Sequence, residues 1–183
     1  MMVLGVVGSP RREGNTDVLV SEVLRGAQDA GSQVKKVFLN DLKITPCQSI
    51  CSSYCKKMGE CQIRDDMTTL YNMIFGSNVI ILGTPVYWYG PSAQLKAFID
   101  RWYSFSHPQF IHKVEGKSLV LVAAFEEKNL SVAEPLVTMM EKSANYLKMN
   151  FLEELLITAD EQGAVKQNSD VLTKAYQIGL KLK

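Results

Sequence analysis

Three short runs of apolar residues constrain the fold of this chain more than any other feature. They are residues 2–7, 79–82 and 119–124, and each is apolar throughout instead of alternating with polar residues. Strands with this pattern are typical of a parallel sheet that is covered by helices on both faces. Two weaker runs, 34–39 and 151–158, bring the predicted number of strands to five.

The segments between these runs carry apolar residues at helical spacing. Ser131 with Glu134 three residues later is a capping-box pattern, which predicts the start of one of these helices. The predicted helices begin near Asn15, Asp65 or Asp66, Ser92, Ser131 and Ser169. Five strands that alternate with about five helices predict a doubly wound α/β sheet. Ligands of such sheets bind at the carboxyl ends of the strands, so the loops after the first, third and fourth strands are the predicted site.

Length and charge limit the class of protein further. The chain has 183 residues with a formal net charge of +1, and we expect one domain over residues 1–183. The balanced charge argues against a dedicated nucleic-acid or membrane-surface binder. No apolar run approaches the roughly 20 residues that span a bilayer, and no signal-peptide pattern is visible. We therefore expect a cytoplasmic protein that acts on small molecules.

The loop from Gly8 to Thr16 has the composition of a phosphate-binding loop. It leads from a strand into a helix, whose N-terminus offers unpaired N–H groups, and Arg11 supplies positive charge beside Arg12. The loop differs from a Walker A motif, because five residues separate its glycines and Asn15 replaces the lysine. A terminal monophosphate is therefore the favoured ligand. The alternative is a polar connecting loop with solvated arginines.

Four segments in order resemble the NADPH-dependent FMN reductase superfamily, and together they cover about residues 1–160. The loop Gly8-Ser-Pro-Arg-Arg-Glu-Gly-Asn-Thr16 resembles the family's FMN phosphate loop, and Gly83-Thr-Pro-Val-Tyr-Trp-Tyr-Gly90 is similar to its isoalloxazine loop. Leu95-Lys-Ala-Phe-Ile-Asp-Arg101 looks like the helix that follows. The cysteine segment leading into Cys61-Gln-Ile-Arg-Asp-Asp-Met67 is similar to the iron–sulfur flavoprotein branch. The resemblance implies a flavodoxin-like fold with the strand order 2-1-3-4-5.

The resemblance also implies a cofactor, an activity and a set of binding residues. FMN would take hydride from NAD(P)H and pass it to a quinone, a flavin or a similar small acceptor, with no catalytic acid or base from the protein. Family members are generally homodimers or homotetramers. The expected FMN contacts are Ser9, Arg11, Gly14, Asn15 and Thr16 for the phosphate, and Pro85, Val86, Tyr87, Trp88, Tyr89, Gly90, Ala124 and Phe125 for the ring.

Two parts of this assignment stay open. Trp88 fits a flavin contact and a core or subunit-interface position equally well. The loop after the fourth strand carries Glu126 and Glu127, where the family commonly has small, Gly-rich residues, so these carboxylates are interpreted as solvated surface charges. His107 and His112 are interpreted as surface or interface residues.

Four cysteines lie within fifteen residues, in a segment at about 44–64 that we interpret as an insertion. Cys47, Cys51, Cys55 and Cys61 could in principle bind an iron–sulfur cluster or zinc. On a regular helix the first and third of them would lie about 12 Å apart, which is too far for one cluster. Ordinary thiols are therefore the favoured interpretation. The alternatives are an iron–sulfur flavoprotein and a non-enzymatic flavin electron carrier.

Overall fold

The computed structural model describes residues 1–49, 52–58 and 61–183. Over these residues, the strands are β1 (Met2–Val7), β2 (Gln33–Phe38), β3 (Val79–Pro85), β4 (Ser118–Phe125) and β5 (Asn150–Thr158). The α-helices are α1 (Asn15–Asp29), α2 (Ser52–Met58), α3 (Met67–Gly76), α4 (Ala93–Asp100), α5 (Glu134–Tyr146) and α6 (Ser169–Leu180). The predicted helices are present, and α2 adds a short helix within the cysteine segment. No helix of the described ranges is long and apolar enough to cross a membrane.

The strands form one parallel sheet with the order β2-β1-β3-β4-β5, which confirms the predicted flavodoxin-like arrangement. The chain moves outward from β1 to β2 and then crosses back to β3 on the other side of β1. The order of the strands therefore reverses next to β1. Ligand crevices in such sheets lie at this reversal, outside the carboxyl ends of the strands.

Each face of the sheet is covered by its own set of helices, which explains the uniformly apolar strands. In β1, Val3 and Val7 pack into the core under α1 and α6, whereas Leu4 and Val6 pack into the core under α3, α4 and α5. Adjacent strand residues point to opposite faces, so a strand buried on both sides needs apolar residues at every position.

Helices α1 and α6 pack closely because glycines lie where they cross. A Cβ atom on Gly26 would lie 2.1 Å from the carbonyl oxygen of Tyr176, and one on Gly179 would lie 2.0 Å from that of Val23. Any side chain at either position would collide with backbone.

The predicted start at Ser131 is wrong, whereas α6 begins at Ser169 as predicted. Ser131 does not cap α5, because it lies in a 3₁₀ segment, Leu130–Ala133, and its N–H donates to the side chain of Asn129 at 3.0 Å. This local bond displaces the capping box, and α5 begins at Glu134. At α6 the capping side chain belongs to Asn168, which accepts from the N–H of Val171 at 3.2 Å.

Candidate functional site

A cavity of about 270 Å³ opens at the carboxyl edge of the sheet, where β1, β3 and β4 end. Ten of the thirteen residues predicted to contact FMN line it, so the structure brings the three predicted loops together. They are Ser9, Arg11, Gly14, Asn15, Thr16, Pro85, Val86, Tyr87, Ala124 and Phe125.

The loop after β1 forms the polar end of this cavity. The hydroxyl oxygen of Ser9 accepts a hydrogen bond from the N–H of Arg11 at 3.2 Å, which leaves the hydroxyl proton for a ligand. Gly14 precedes α1, and a Cβ there would lie 3.0 Å from the carbonyl oxygen of Arg11. The absence of a side chain at Gly14 therefore lets the loop turn tightly over the start of α1, where backbone N–H groups favour an anion.

The structure distinguishes the two arginines of this loop. Arg12 forms an ion pair with Asp41 and lies over the ring of Phe38, 4.3 Å from its centroid. Arg11 is exposed and lines the cavity. Arg11 is therefore the arginine of this loop that lines the cavity, and its contact with a phosphate stays a prediction.

Asn15 lines the cavity, but its side chain holds a distant loop in place. Its amide nitrogen donates to the carbonyl oxygen of Glu161 at 2.8 Å, and its amide oxygen accepts from the N–H of Val165 at 3.2 Å. This draws the loop after β5 to the site, where Ala159, Asp160 and Gln162 complete the cavity wall. These three residues were not predicted from the sequence. They could have been, because β5 of a parallel sheet ends at the same edge as β1, which places the loop after β5 beside the site.

Ser92 connects the loop after β1 to the loop after β3 by hydrogen bonds. From the sequence it was predicted only as the start of a helix. As the N-cap of α4, its hydroxyl oxygen accepts from the N–H of Leu95 at 3.2 Å. The same hydroxyl donates to the carbonyl oxygen of Gly8 at 2.7 Å. Its backbone N–H donates to the hydroxyl of Thr84 at 3.0 Å. The relative position of the two loops therefore depends on one buried serine.

The aromatic residues after β3 form a tight hairpin turn. The N–H of Tyr87 donates to the carbonyl oxygen of Gly90 at 2.9 Å, and the reverse bond is 3.0 Å. Between them, Trp88 and Tyr89 have φ angles of 48° and 65°, which is the signature of a type I′ turn. Bulky residues rarely adopt these angles, so the turn places two aromatic residues side by side at a conformational cost.

A second cavity, of about 280 Å³, adjoins the first and shares Val86, Phe125 and Glu126 with it. Trp88 and Tyr89 line this second cavity and not the first, while Gly90 lines neither and serves to close the turn. Trp88 is 95% exposed, so it is not a core residue.

The cysteine segment is fastened to the fold by a buried ion pair. Arg101 and Asp65, whose side chains are 0% and 2% exposed, lie 2.7 Å apart. Burial opposes the ionised form of Asp65. Hydrogen bonds from Arg101 and from the backbone of Thr45 outweigh this effect, so the pKa of Asp65 lies below its usual value. Arg101 also donates to the carbonyl oxygens of Thr45 and Ile63 at 2.8 and 3.1 Å.

The cysteines themselves differ in exposure. Cys55 and Cys61 are buried, whereas Cys47 is exposed. Cys51 lies outside the described residues. Within the part of the chain that is described, no three His, Cys, Asp or Glu side chains form a group that could hold a metal ion. The histidines lie apart from both cavities, and the ring of His107 accepts from the N–H of Gln109 at 3.2 Å.

A five-stranded parallel sheet of the order β2-β1-β3-β4-β5, with its ligand crevice beside β1, is the flavodoxin-like fold. The chain belongs to the NADPH-dependent FMN reductase family, whose model matches residues 1–162. It is thus a member of a family of flavoprotein oxidoreductases.

Among curated relatives, an iron-sulfur flavoprotein of Archaeoglobus fulgidus is 36% identical over 123 residues, which are 67% of this chain and 55% of the relative. An iron-sulfur flavoprotein of Methanocaldococcus jannaschii is 43% identical over 101 residues, or 55% of this chain and 51% of the relative. The chain therefore spans about half the length of these relatives.

The fold itself is shared with the NAD(P)H:quinone oxidoreductase from Methanothermobacter marburgensis. The two structures superpose with a TM-score of 0.81, covering 100% of this chain and 96% of the other, at 15% sequence identity. Identity this low establishes the common fold alone.

The residues at the site fit FMN in two respects. Arg11, the Ser9 hydroxyl and the start of α1 offer positive charge and hydrogen-bond donors for a phosphate. Pro85, Val86 and Phe125 offer apolar surface that suits a planar ring. Two carboxylates, Glu126 and Asp160, also line the cavity, and Asp160 comes from the loop that the Asn15 side chain holds beside the start of α1.

Proposed function

We propose that this chain is an FMN-dependent NAD(P)H oxidoreductase that delivers hydride to a quinone, a flavin or a similar small acceptor. The observation that carries the proposal is the wall that the two cavities share: Val86, Phe125 and Glu126 line both the cavity that contains Arg11 and the cleft that contains Trp88. A cofactor held in the first cavity would present its ring to an electron acceptor that enters the second.

The polar end of the first cavity would bind the phosphate of FMN. Arg11 would contribute charge, and Ser9 and Thr16 would contribute hydroxyl groups. The side chain of Asn15 is already bonded to the loop after β5, so we assign its contribution to its backbone N–H at the start of α1. Gly14 would let the phosphate approach the backbone closely.

The apolar end would hold the isoalloxazine ring. Pro85, Val86 and Tyr87 follow directly from β3, and Ala124 and Phe125 come from the end of β4. These residues are fixed by the sheet register, in which Pro85 lies beside Ala124. The wall against which the ring would pack is therefore rigid, which favours one ring orientation.

The chemistry that bound FMN supplies is the acceptance of hydride from NAD(P)H and its transfer to an acceptor. The protein's part is to bind, orient and tune. Backbone N–H groups beside Pro85 would reach the polar edge of the ring and stabilise negative charge there, since those of Tyr87 and Gly90 are used within the turn. We assign no general acid or base to this chain, because hydride transfer to a flavin needs none.

We further propose that the chain works as a homodimer or homotetramer. A groove of about 490 Å³, walled mainly by apolar atoms, lies between α4 and α5 and includes Ile99, Tyr103, Met139 and Tyr146. Apolar surface of this kind is typical of subunit contacts. Light scattering during size-exclusion chromatography measures the assembly size, and a monomer at micromolar concentration would refute this part of the proposal.

Steady-state turnover tests the proposed activity. Protein loaded with FMN should oxidise NADH or NADPH continuously when a 1,4-naphthoquinone is supplied without oxygen, with absorbance at 340 nm as the readout. Turnover that requires a separate reductase would refute the enzyme and would support the non-enzymatic electron carrier.

The second candidate is an iron–sulfur flavoprotein that passes single electrons. The names of the two archaeal relatives favour it, together with the four cysteines at positions 47, 51, 55 and 61. Anaerobically prepared protein that contains iron and sulfide in equal amounts would support this candidate, and their absence from such a preparation would refute it.

A further inference from the structure

The second cavity carries charge of one sign. Its described lining consists of Val86, Trp88, Tyr89, Phe125, Glu126, Glu127 and Val132. Both glutamates are exposed, and within the described residues neither side chain forms an ion pair with a cation. The cleft is thus an aromatic and apolar surface with two carboxylates beside it.

The backbone that carries the aromatic residues of this cleft is fixed by a closed turn. The turn from Tyr87 to Gly90 is closed by two backbone hydrogen bonds, and its two central residues are aromatic despite their positive φ angles. Glycine or asparagine would fit this turn with less strain. The strained turn presents Trp88, which is 95% exposed, beside the cavity as a stacking surface for a planar molecule.

The carboxylates determine which planar molecules bind well. Two unpaired negative charges beside a low-dielectric aromatic wall attract cations and repel anions. The nearest cation of the first cavity, Arg11, does not line the second. Lys128 follows Glu127 in the sequence but is not part of the described lining.

We propose that this cleft is the electron-acceptor subsite and that Glu126 and Glu127 make it selective for neutral or cationic planar aromatic acceptors over anionic ones. The inference rests on the proposed function and names its substrate class. Trp88 would stack on the acceptor, and cation–π attraction would add to the preference for positive charge.

The oxidative half-reaction isolates the acceptor from the hydride donor. Photoreduced, FMN-loaded protein is mixed without oxygen with three 1,4-naphthoquinones that carry a trimethylammonium, no charged group or a sulfonate at the same position. Dividing each rate for a variant by the wild-type rate removes the intrinsic difference between the quinones. The double variant E126Q/E127Q should accelerate reaction with the sulfonated quinone about three- to tenfold and slow the cationic one by a similar factor.

Two controls make this result specific. Glu141→Gln removes one exposed charge on α5, away from the cleft, and should leave all three rates within about twofold. Raising the salt to about 1 M should abolish the difference between wild type and the double variant, because the screening length then falls to about 3 Å. Equal acceleration of all three quinones, or the same shift in Glu141→Gln, would overturn the inference.

A binding measurement without flavin separates this inference from the proposed function. The chain has two tryptophans, and Trp102 is 3% exposed, so Trp88 dominates quenching by a ligand in the cleft. N-Methylquinolinium should quench apoprotein fluorescence at concentrations about three- to tenfold lower than naphthalenesulfonate does, and Trp88→Phe should remove the effect. Charge-selective quenching in protein that binds no FMN would uphold the cleft and refute the proposed oxidoreductase. Equal quenching by both probes in protein that turns over quinone would refute the charge-selective cleft and uphold the proposed oxidoreductase.

Discussion

Replacing Arg101 by methionine tests how the cysteine segment is held to the fold. The substitution keeps a long apolar stem and removes the guanidinium, which is fully buried against Asp65. Four hydrogen bonds are lost, two to the carboxylate and two to the carbonyl oxygens of Thr45 and Ile63. Among the described residues, the backbone N–H groups of Thr45 and Met67 still donate to Asp65.

The expected cost is about 3–5 kcal/mol of unfolding free energy at pH 7, because a buried carboxylate is left without its cation. For a chain of 183 residues this corresponds to a fall in Tm of roughly 6–20 °C. The matched control is Lys96→Met, which breaks an exposed pair with Asp100 whose atoms lie 2.5 Å apart. This control substitution should lower the unfolding free energy by less than about 0.5 kcal/mol.

The pH dependence of this cost has a definite sign. In the wild type the pKa of Asp65 lies below its ordinary value of 3.8, so the pair contributes stability above that pH and loses it as the pH falls through the folded pKa. In Arg101→Met, burial favours the neutral carboxyl and raises its pKa. The difference in stability between the two proteins should therefore shrink as the pH falls from 7 to 4.

Urea unfolding followed by circular dichroism measures both quantities. A cost below about 1 kcal/mol at pH 7 would refute the account of the buried pair. A difference that grows as the pH falls would contradict the assignment of an ionised Asp65.

Three further predictions follow from single contacts. Arg11→Ala should weaken FMN binding by about 1.5–3 kcal/mol in a fluorescence titration. Arg12→Ala, the control, should change it much less, and equal effects would remove Arg11 from the phosphate site. Tyr89→Gly should raise the free energy of unfolding by about 0.5–1 kcal/mol in thermal denaturation, because glycine tolerates the φ of 65°. A decrease in this free energy would contradict the strained turn. Gly179→Ala should cost about 2–3 kcal/mol in urea, since its Cβ would lie 2.0 Å from a backbone oxygen. Gly76→Ala, where nothing lies within 4 Å, should not destabilise, and equal costs would refute the close packing of α1 on α6.

Much of the fold was predictable because strands that are buried on both faces are apolar at every position. The run at 79–82 predicted β3, and the run at 119–124 predicted β4, each to within a few residues. Helix starts were less predictable. Ser131 matched a capping box, yet a bond to Asn129 only two residues away decided the local structure.

The site was predictable where its residues are adjacent in sequence. The loop from Gly8 to Thr16 carries its glycines, hydroxyls and arginines within nine positions, so its composition alone predicted a ligand-binding loop, and the structure places it at the cavity. Asn15 bonds to Glu161 across 146 positions, and Arg101 to Asp65 across 36. Pairs so far apart in sequence produce no pattern among neighbouring residues from which they could be predicted. The positive φ angles of Trp88 and Tyr89 were equally hidden, because aromatic residues rarely adopt them.

The visible absorption spectrum of the protein, purified without air and then titrated with FMN, tests the central claim most directly. We expect two resolved flavin bands and saturable binding of one FMN per chain. A broad brown shoulder beneath these bands would instead support the iron–sulfur candidate. Protein that stays colourless after FMN is added and removed from solution would contradict the claim that this site holds a flavin.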